Sequence, residues 1–329
     1  MIEKTIILED VDPVVFYGAN NSNLQILKAL YPKLRMIARG NVIKVLGEEE
    51  DITGAEDNIK ALQHHCAIYN MLREEDVLEI VNGSNPYSHA TDSRAIVYNI
   101  TGKAITPRSK NQELLVEKFL EDDMVFAVGP AGSGKTYLSI ALAVRALKNK
   151  EVKRIILSRP AVEAGEKLGF LPGDMKEKID PYLQPLYDAL QDMLPAAKLK
   201  EYMDYNVIQI APLAFMRGRT LNDAVVILDE AQNTTSEQIK MFLTRMGINT
   251  KMIITGDLTQ IDLPVARKSG LVHALHILKG VKGIGFVELG KKDIVRHKLV
   301  QRIVDAYERA ERAAEKQSEQ SIHNKNTDK

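Results

Sequence analysis

Tryptophan is absent, and the 329 residues hold one cysteine, Cys66. A single thiol cannot close an internal disulfide or supply a multi-cysteine metal site, which suits a reducing compartment. Aromatic residues make up only 5% of the chain, so any core is mainly aliphatic, and 45% apolar residues are enough to build a sizeable one. Neither sign of charge is in excess, because Lys plus Arg and Asp plus Glu each total 44. A nucleic-acid partner would therefore be held by a local patch and not by global attraction. No apolar run approaches the roughly 20 residues that cross a bilayer. Met1 to Asp10 carries acids where a signal peptide needs bases and then a long apolar stretch. A cytoplasmic protein that does not enter membranes is the expectation. Neither a Ser-His-Asp arrangement nor a metalloprotease spacing occurs.

Length sets a prior of one to three domains, at roughly 100 to 200 residues each. Residues 1–83 mix strand-like runs, Ile6–Leu8 and Val42–Leu46, with helical periodicity at Asn23–Leu30 and Ala55–Leu72. A small α+β unit is expected there. Residues 84–110 are rich in Ser, Asn, Thr and Pro, and Asn85-Pro86 and Thr106-Pro107 argue against a helix. The expectation is a linker with a short strand at Ala95–Tyr98. From Asn111 onward, short β-branched runs alternate with helical patterns. Candidate strands are Val125–Val128, Arg154–Leu157, Val207–Ile210, Ala224–Leu228, Lys251–Ile254 and Gly285–Leu289. Candidate helices are Tyr137–Lys148, Met175–Leu194, Glu237–Met246, Leu271–Leu278 and Val295 to about Glu311. This alternation predicts an α/β domain over 111–312 with a doubly wound, mostly parallel sheet and ligands at the carboxyl ends of its strands. The polar stretch 313–329 has almost nothing to bury and is expected to be disordered.

Three segments carry chemistry. Gly129-Pro130-Ala131-Gly132-Ser133-Gly134-Lys135-Thr136 fits G-x-x-x-x-G-K-[ST], with an apolar strand before it and an amphipathic helix after it. The glycines let backbone N–H groups turn toward phosphate oxygens, and the helix N-terminus adds positive partial charge. Lys135 is expected to span the β- and γ-phosphates of ATP, and the Thr136 hydroxyl to ligate Mg²⁺. A turn of no chemical consequence would need three glycines, Lys and Thr together by accident. Next, the strand ending at Leu228 runs into Asp229 and Glu230. Asp229 is expected to hold the magnesium through its water shell, and Glu230 to polarise the attacking water. Adjacent carboxylates at a strand end also serve as helix caps, but a P-loop upstream favours the chemical reading. Last comes Ile253-Ile254-Thr255-Gly256-Asp257-Leu258-Thr259-Gln260. Gln260 suits a sensor that bonds both a phosphate oxygen and a water. The plainer alternative is a turn in which Asp257 bonds its own backbone.

In this order the three segments resemble the first RecA-like domain of superfamily 1 helicases. The full chain is similar to the PhoH family of bacterial ATPases, in the branch with an N-terminal KH-like domain. The likeness covers residues 1 to about 310 and is specific from Asn111 to Arg312. It implies a RecA-like P-loop NTPase fold behind a small KH-like unit. By the same likeness, Thr106–Gln112 is similar to the helicase Q-motif, so Gln112 would read the adenine edge; otherwise it belongs to a helix cap. Ser158-Arg159-Pro160 resembles a segment that touches single-stranded nucleic acid. The loop Glu163–Asp174, which contains Lys167, matches a family signature and would contact substrate. Asp293-Ile294-Val295-Arg296 resembles the helicase segment whose arginine meets the γ-phosphate, and Arg217 or Arg219 could reach a neighbouring subunit's nucleotide.

The resemblance has gaps. Helicases carry a second RecA-like domain, yet the sheet elements counted above use up the residues after Asn111. That implies a site completed by another copy, most simply in a hexameric ring. A KH fold clamps single strands with a G-x-x-G loop, whereas Gly18-Ala19-Asn20-Asn21 has one glycine and Arg39-Gly40-Asn41 is only a short basic turn. His64-His65-Cys66 lacks a companion cluster, so a metal is not expected there, and His273 and His276 read as packed or edge histidines. Three functions compete: an RNA-stimulated ATPase or helicase, an ATP-driven switch acting on a protein partner in RNA processing or ribosome maturation, and a small-molecule kinase. The carboxylate Glu230 disfavours the kinase.

Overall fold

The computed structural model describes residues 2–83, 94–160, 175–263, 268–295, 299–300, 302–303 and 306, the side chains of 175–180 excepted. The amino-terminal unit begins with strand Ile2–Ile7 (β1), helices Pro13–Tyr17 (α1) and Ser22–Leu30 (α2), then strands Arg35–Arg39 (β2) and Val42–Gly47 (β3). Helices Glu49–Tyr69 (α3) and Glu74–Val81 (α4) complete it. The strands form an antiparallel sheet in the order β1-β3-β2, with Ile6 opposite Ile43 and Ile37 opposite Lys44. Ile43 and Val45 are buried while Lys44 faces out, the period-two alternation of a half-covered sheet. Helix α3 buries Ile52, Ala55, Ile59, Leu62 and Cys66 at helical spacing against that face. It begins at Glu49, well before the periodic segment read from sequence, because Glu49, Glu50 and Asp51 suit the positive end of a helix. Strand β2 escaped the sequence reading because Arg35, Ile37 and Arg39 are all exposed.

Part of the stretch expected to be a linker is built into the molecule. Val97–Tyr98 (β4) and Ala104–Ile105 (β5) pair as an antiparallel hairpin, and Ile96, Val97 and Ile105 belong to the main core. Asn70, the left-handed residue that ends α3, donates from Nδ2 to the carbonyls of Tyr98, Asn99 and Met193 at 2.7, 3.3 and 3.1 Å. Its Oδ1 accepts from Lys148 Nζ at 2.9 Å. One side chain therefore ties the amino-terminal unit to the hairpin and to two helices of the larger unit.

The larger unit runs Lys110–Glu121 (α5), Met124–Val128 (β6), Lys135–Lys148 (α6), Arg154–Arg159 (β7), Met175–Met193 (α7), Ala196–Asp204 (α8) and Ile208–Pro212 (β8). It continues with Ala224–Leu228 (β9), Ser236–Leu243 (α9), Thr250–Gly256 (β10), Gly270–Ile277 (α10) and Ile284–Glu288 (β11). The six long strands lie in the order β11-β6-β10-β9-β7-β8, every pairing parallel. β6 and β9 are buried along their whole length, as expected of continuously apolar strands covered on both faces. Alternation assigns the faces. Val125, Ala127, Val225 and Ile227 pack under α5, α6, α7 and α8, whereas Phe126, Val128, Val226 and Leu228 pack under α9 and α10. The sheet is doubly wound, as the βα rhythm predicts. The candidate strands fall within a residue or two of the observed ones. The helix expected from Val295 falls mostly outside the described residues, as does all of 313–329. Among the described residues, no helix is long and apolar enough to cross a membrane.

Candidate nucleotide site

Parallel strands aim their carboxyl ends at one edge, and the three chemical segments leave from β6, β9 and β10. β10 lies between the other two, so the P-loop strand and the acidic strand flank it. After β6 the chain turns sharply. Gly134 caps α6 at φ +85°, a left-handed conformation that side chains resist, and a Cβ there would press on Gln112 Nε2 at 3.0 Å. At Gly129 a Cβ would sit 2.4 Å from the Leu289 carbonyl oxygen, so only glycine lets the loop pass β11's end. Lys135 Nζ donates back to the Gly129 and Pro130 carbonyls at 2.6 and 2.8 Å, and Ser133 Oγ donates to Pro130 at 2.7 Å. The ammonium thus lies across the mouth of the loop.

Asp229 is nearly fully buried, and its Oδ1 accepts from both Thr136 Oγ1 and Thr255 Oγ1, each at 2.6 Å. The P-loop hydroxyl and the acid at the strand tip therefore meet, 93 residues apart in sequence. A hydroxyl and a carboxylate are hard oxygen donors, and this set fits a small hard cation such as Mg²⁺ that keeps most of its water. Among the described residues, no group of three or more His, Cys, Asp or Glu could hold a metal by itself.

Glu230 sits in the left-handed region at φ 54°, ψ 39°, a conformation that costs a non-glycine residue on the order of 1–2 kcal/mol. Its Oε2 accepts from Gln232 Nε2 at 2.5 Å, and its Oε1 lies 3.3 Å from Arg159 Nη2. Gln232 is fully buried and is the hub of this corner. It donates also to the Gln260 carbonyl at 3.1 Å and accepts from Asp257 N at 3.0 Å. Asp257 in turn accepts from Ala131 N of the P-loop at 2.9 Å and closes a turn on Thr259. That is the capped turn weighed as the plainer alternative, and it binds the third segment to the first. The Gln260 side chain is exposed at this edge, and its backbone carbonyl makes the link to Gln232.

Gln112 follows the Ser109 cap of α5 and is buried. Its Oε1 accepts from Arg108 N at 2.7 Å and its Nε2 donates to the Ser133 carbonyl at 2.9 Å. In this arrangement the amide braces the P-loop, with both ends engaged. Beside it opens a cavity of about 530 Å³ lined by Ile105, Thr106, Arg108, Tyr137, Leu138 and Val295, along with Gly132 and Gly134, within the range of small-molecule sites. Tyr137 donates to Asp192 Oδ2 at the back of this cavity. Burial, reinforced by that carboxylate, pushes the Tyr137 phenol well above its ordinary range, so it stays a donor at physiological pH. The carboxyl-terminal segment reaches the site through Val295 N, which donates to the Gly132 carbonyl at 3.0 Å. Asp293 supports it by accepting from Asn111 and Gly290 N. Burial opposes the charge of Asp293, yet these bonds and one from Ser109 hold its carboxyl below the usual range.

Of the residues singled out from sequence, the structure brings together Gly129 to Thr136, Gln112, Asp229, Glu230, Gln260 and Arg159. Arg219 instead pairs with Gln209 at 2.6 Å, and Arg217 is exposed. Lys167 and Arg296 lie outside the described residues. Gln232, Asp257, Thr255 and the β4–β5 hairpin have places in the site that sequence reasoning did not assign.

The model of the PhoH-like protein family matches residues 104–308. A PhoH-like protein of Bacillus subtilis is 48% identical over 297 residues, 89% of this chain and 93% of its own. Protein PhoH of Escherichia coli is 39% identical over 281 residues, 84% of this chain and 76% of its own. Among solved structures, Pif1 helicase from Candida albicans aligns with 61% of this chain and 43% of its own at 16% identity and TM-score 0.32, a likeness too slight to argue from. The P-loop, the acid pair and the capped turn after β10 all fall inside the matched segment, and on that extent of likeness the chain belongs to the PhoH-like protein family.

Proposed function

We propose that the chain binds ATP with Mg²⁺ at the carboxyl edge of its parallel sheet, hydrolyses the γ-phosphate, and couples this to single-stranded RNA. The observation that carries the ATPase reading is the meeting of Thr136 and Asp229 at 2.6 Å, beside Glu230. A magnesium ion would supply charge neutralisation to the phosphates. Thr136 and Asp229 would hold it, and Lys135 would turn from the loop carbonyls to phosphate oxygens. Glu230 orients the attacking water, held in register by Gln232. Gln260 registers loss of the γ-phosphate in this reading, and the 530 Å³ cavity takes the base and ribose.

The RNA half of the reading rests on the amino-terminal unit. Its first six elements run strand, helix, helix, strand, strand, helix, ahead of the added helix α4, and Gly18–Asn21 joins α1 to α2, which supports a KH-like role for residues 1–83. Asn20 and Asn21 both take positive φ, at 55° and 59°, so asparagines adopt the conformation that glycine would ease. An ATPase assay with and without single-stranded RNA tests the coupling. Stimulation together with salt-sensitive binding supports it. Unchanged turnover and no binding would sink it and leave the reading of an ATP-driven switch acting on a protein.

A further inference from the structure

β7 ends in Ser158-Arg159, beside β9, and this neighbour relation decides where Arg159 points. Its Nη1 donates to the Tyr182 carbonyl of α7 at 2.8 Å. From that pivot, Nη2 reaches Glu230 Oε1 at 3.3 Å, and Nε stands 4.0 Å from Asp229 Oδ2. One guanidinium therefore spans the two carboxylates of the acidic strand tip. Both lie beside Thr136 on a cleft of about 450 Å³, which Arg159 also lines. A basic group meant for a nucleic-acid backbone would gain little from this position, because Asp188, Asp192, Asp229 and Glu230 line the same cleft. A phosphate carried in with its own cation is a different matter.

We propose that Arg159 is a γ-phosphate ligand supplied by the same chain, parked on Glu230 until a nucleoside triphosphate arrives. The proposal rests on the ATPase reading above. Three features support the exchange. The Arg159–Glu230 pair is partly exposed, at 22% and 32%, so parting it costs little. A cation at Thr136 and Asp229 cancels one of the two charges that hold the guanidinium, and a triphosphate adds a denser one that arginine can grip with two N–H groups. The Tyr182 anchor keeps the guanidinium within reach, so the shift needs side-chain rotation and no movement of β7. The exchange also uncovers Glu230 Oε1 as the triphosphate binds. Water activation then depends on the presence of the γ-phosphate, and charge developing in the transition state is met in cis.

The test compares AMP-PNP and ADP, each with Mg²⁺, by isothermal titration calorimetry on the full chain and on Arg159→Ala and Arg159→Lys. Arg159→Ala should bind AMP-PNP about tenfold more weakly or worse and ADP within about twofold of the parent. Its kcat should fall about a hundredfold or more. Arg159→Lys should be intermediate for AMP-PNP, since the charge remains and the two-pronged grip does not. Equal weakening of AMP-PNP and ADP would overturn the proposal in favour of a structural role through Tyr182, which a thermal melt would also register. Unchanged binding of both, with RNA affinity alone reduced, would overturn it in favour of an RNA contact. Glu230→Gln, run alongside, keeps the two readings apart. If that variant still hydrolyses ATP at the parental rate, the assignment of Glu230 as the water-orienting group fails, whereas the AMP-PNP to ADP comparison for Arg159 stands on its own.

Discussion

At the scale of single residues, the site depends on one amide that no motif template singles out. Gln232 lies in the Leu228-Asp229-Glu230-Ala231-Gln232 run, yet nothing in that string says its side chain turns inward to bind Glu230, Asp257 and the Gln260 carbonyl together. Asp229 and Glu230 are legible because strand-tip carboxylates after a P-loop have one dominant use. A buried glutamine could serve packing as easily, and only the fold brings its partners from 25 and 28 residues away. Replacing Gln232 with Met keeps the length and removes every polar contact. Turnover should drop about ten- to a hundredfold, because a base misplaced by an ångström loses that much. The unpaired Asp257 N–H should cost about 1–3 kcal/mol of stability. Steady-state kinetics and a denaturant titration measure the two effects. A variant with normal kcat would remove Gln232 from the positioning of Glu230.

At the scale of elements, the strands of the larger unit are plain in sequence because runs such as Ala224–Leu228 are buried on both faces and uninterrupted. The edges are not. Arg35–Arg39 hides its strand behind exposed charges, and the β4–β5 hairpin has only two paired residues on each side. That hairpin also forms a wall of the nucleotide cavity, held by Asn70. Asn70→Ala should lower stability by about 2–3 kcal/mol, since three carbonyls lose their donor. It should also weaken nucleotide binding through the loosened wall, which calorimetry can follow. Lys148, at the end of α6, gives a pH signature. Burial pulls its pKa down to about 8, whereas in the unfolded chain it is about 10.4. Between these values the folded state binds fewer protons, so this lysine makes stability rise with pH. The neighbouring Cys66 thiol, pushed up to about 12 by burial, acts in the opposite sense above its unfolded value of about 8.5. The denaturation midpoint of the parent should therefore rise relative to that of Lys148→Met from pH 7.5 to pH 10. A constant difference would show that Lys148 does not titrate in this range.

At the scale of the whole molecule, the composition reads correctly as an aliphatic protein with one buried thiol. The division into a small α+β unit and a doubly wound sheet follows from pattern alone. What pattern cannot supply is how the two units touch, because that contact depends on the left-handed Asn70 and on the ion pair of Lys198 with Asp10 at 2.9 Å. We propose that a second copy completes the site, as the family resemblance implies. AMP-PNP should then raise the mass seen by light scattering, and an unchanged monomer would remove the ring. The central claim is that this cleft hydrolyses ATP with Glu230 as the group that orients water. Glu230→Gln, which keeps the shape and removes the charge, tests it most directly. ATP should bind the variant with affinity close to that of the parent while turnover falls to background; hydrolysis at the parental rate would contradict it.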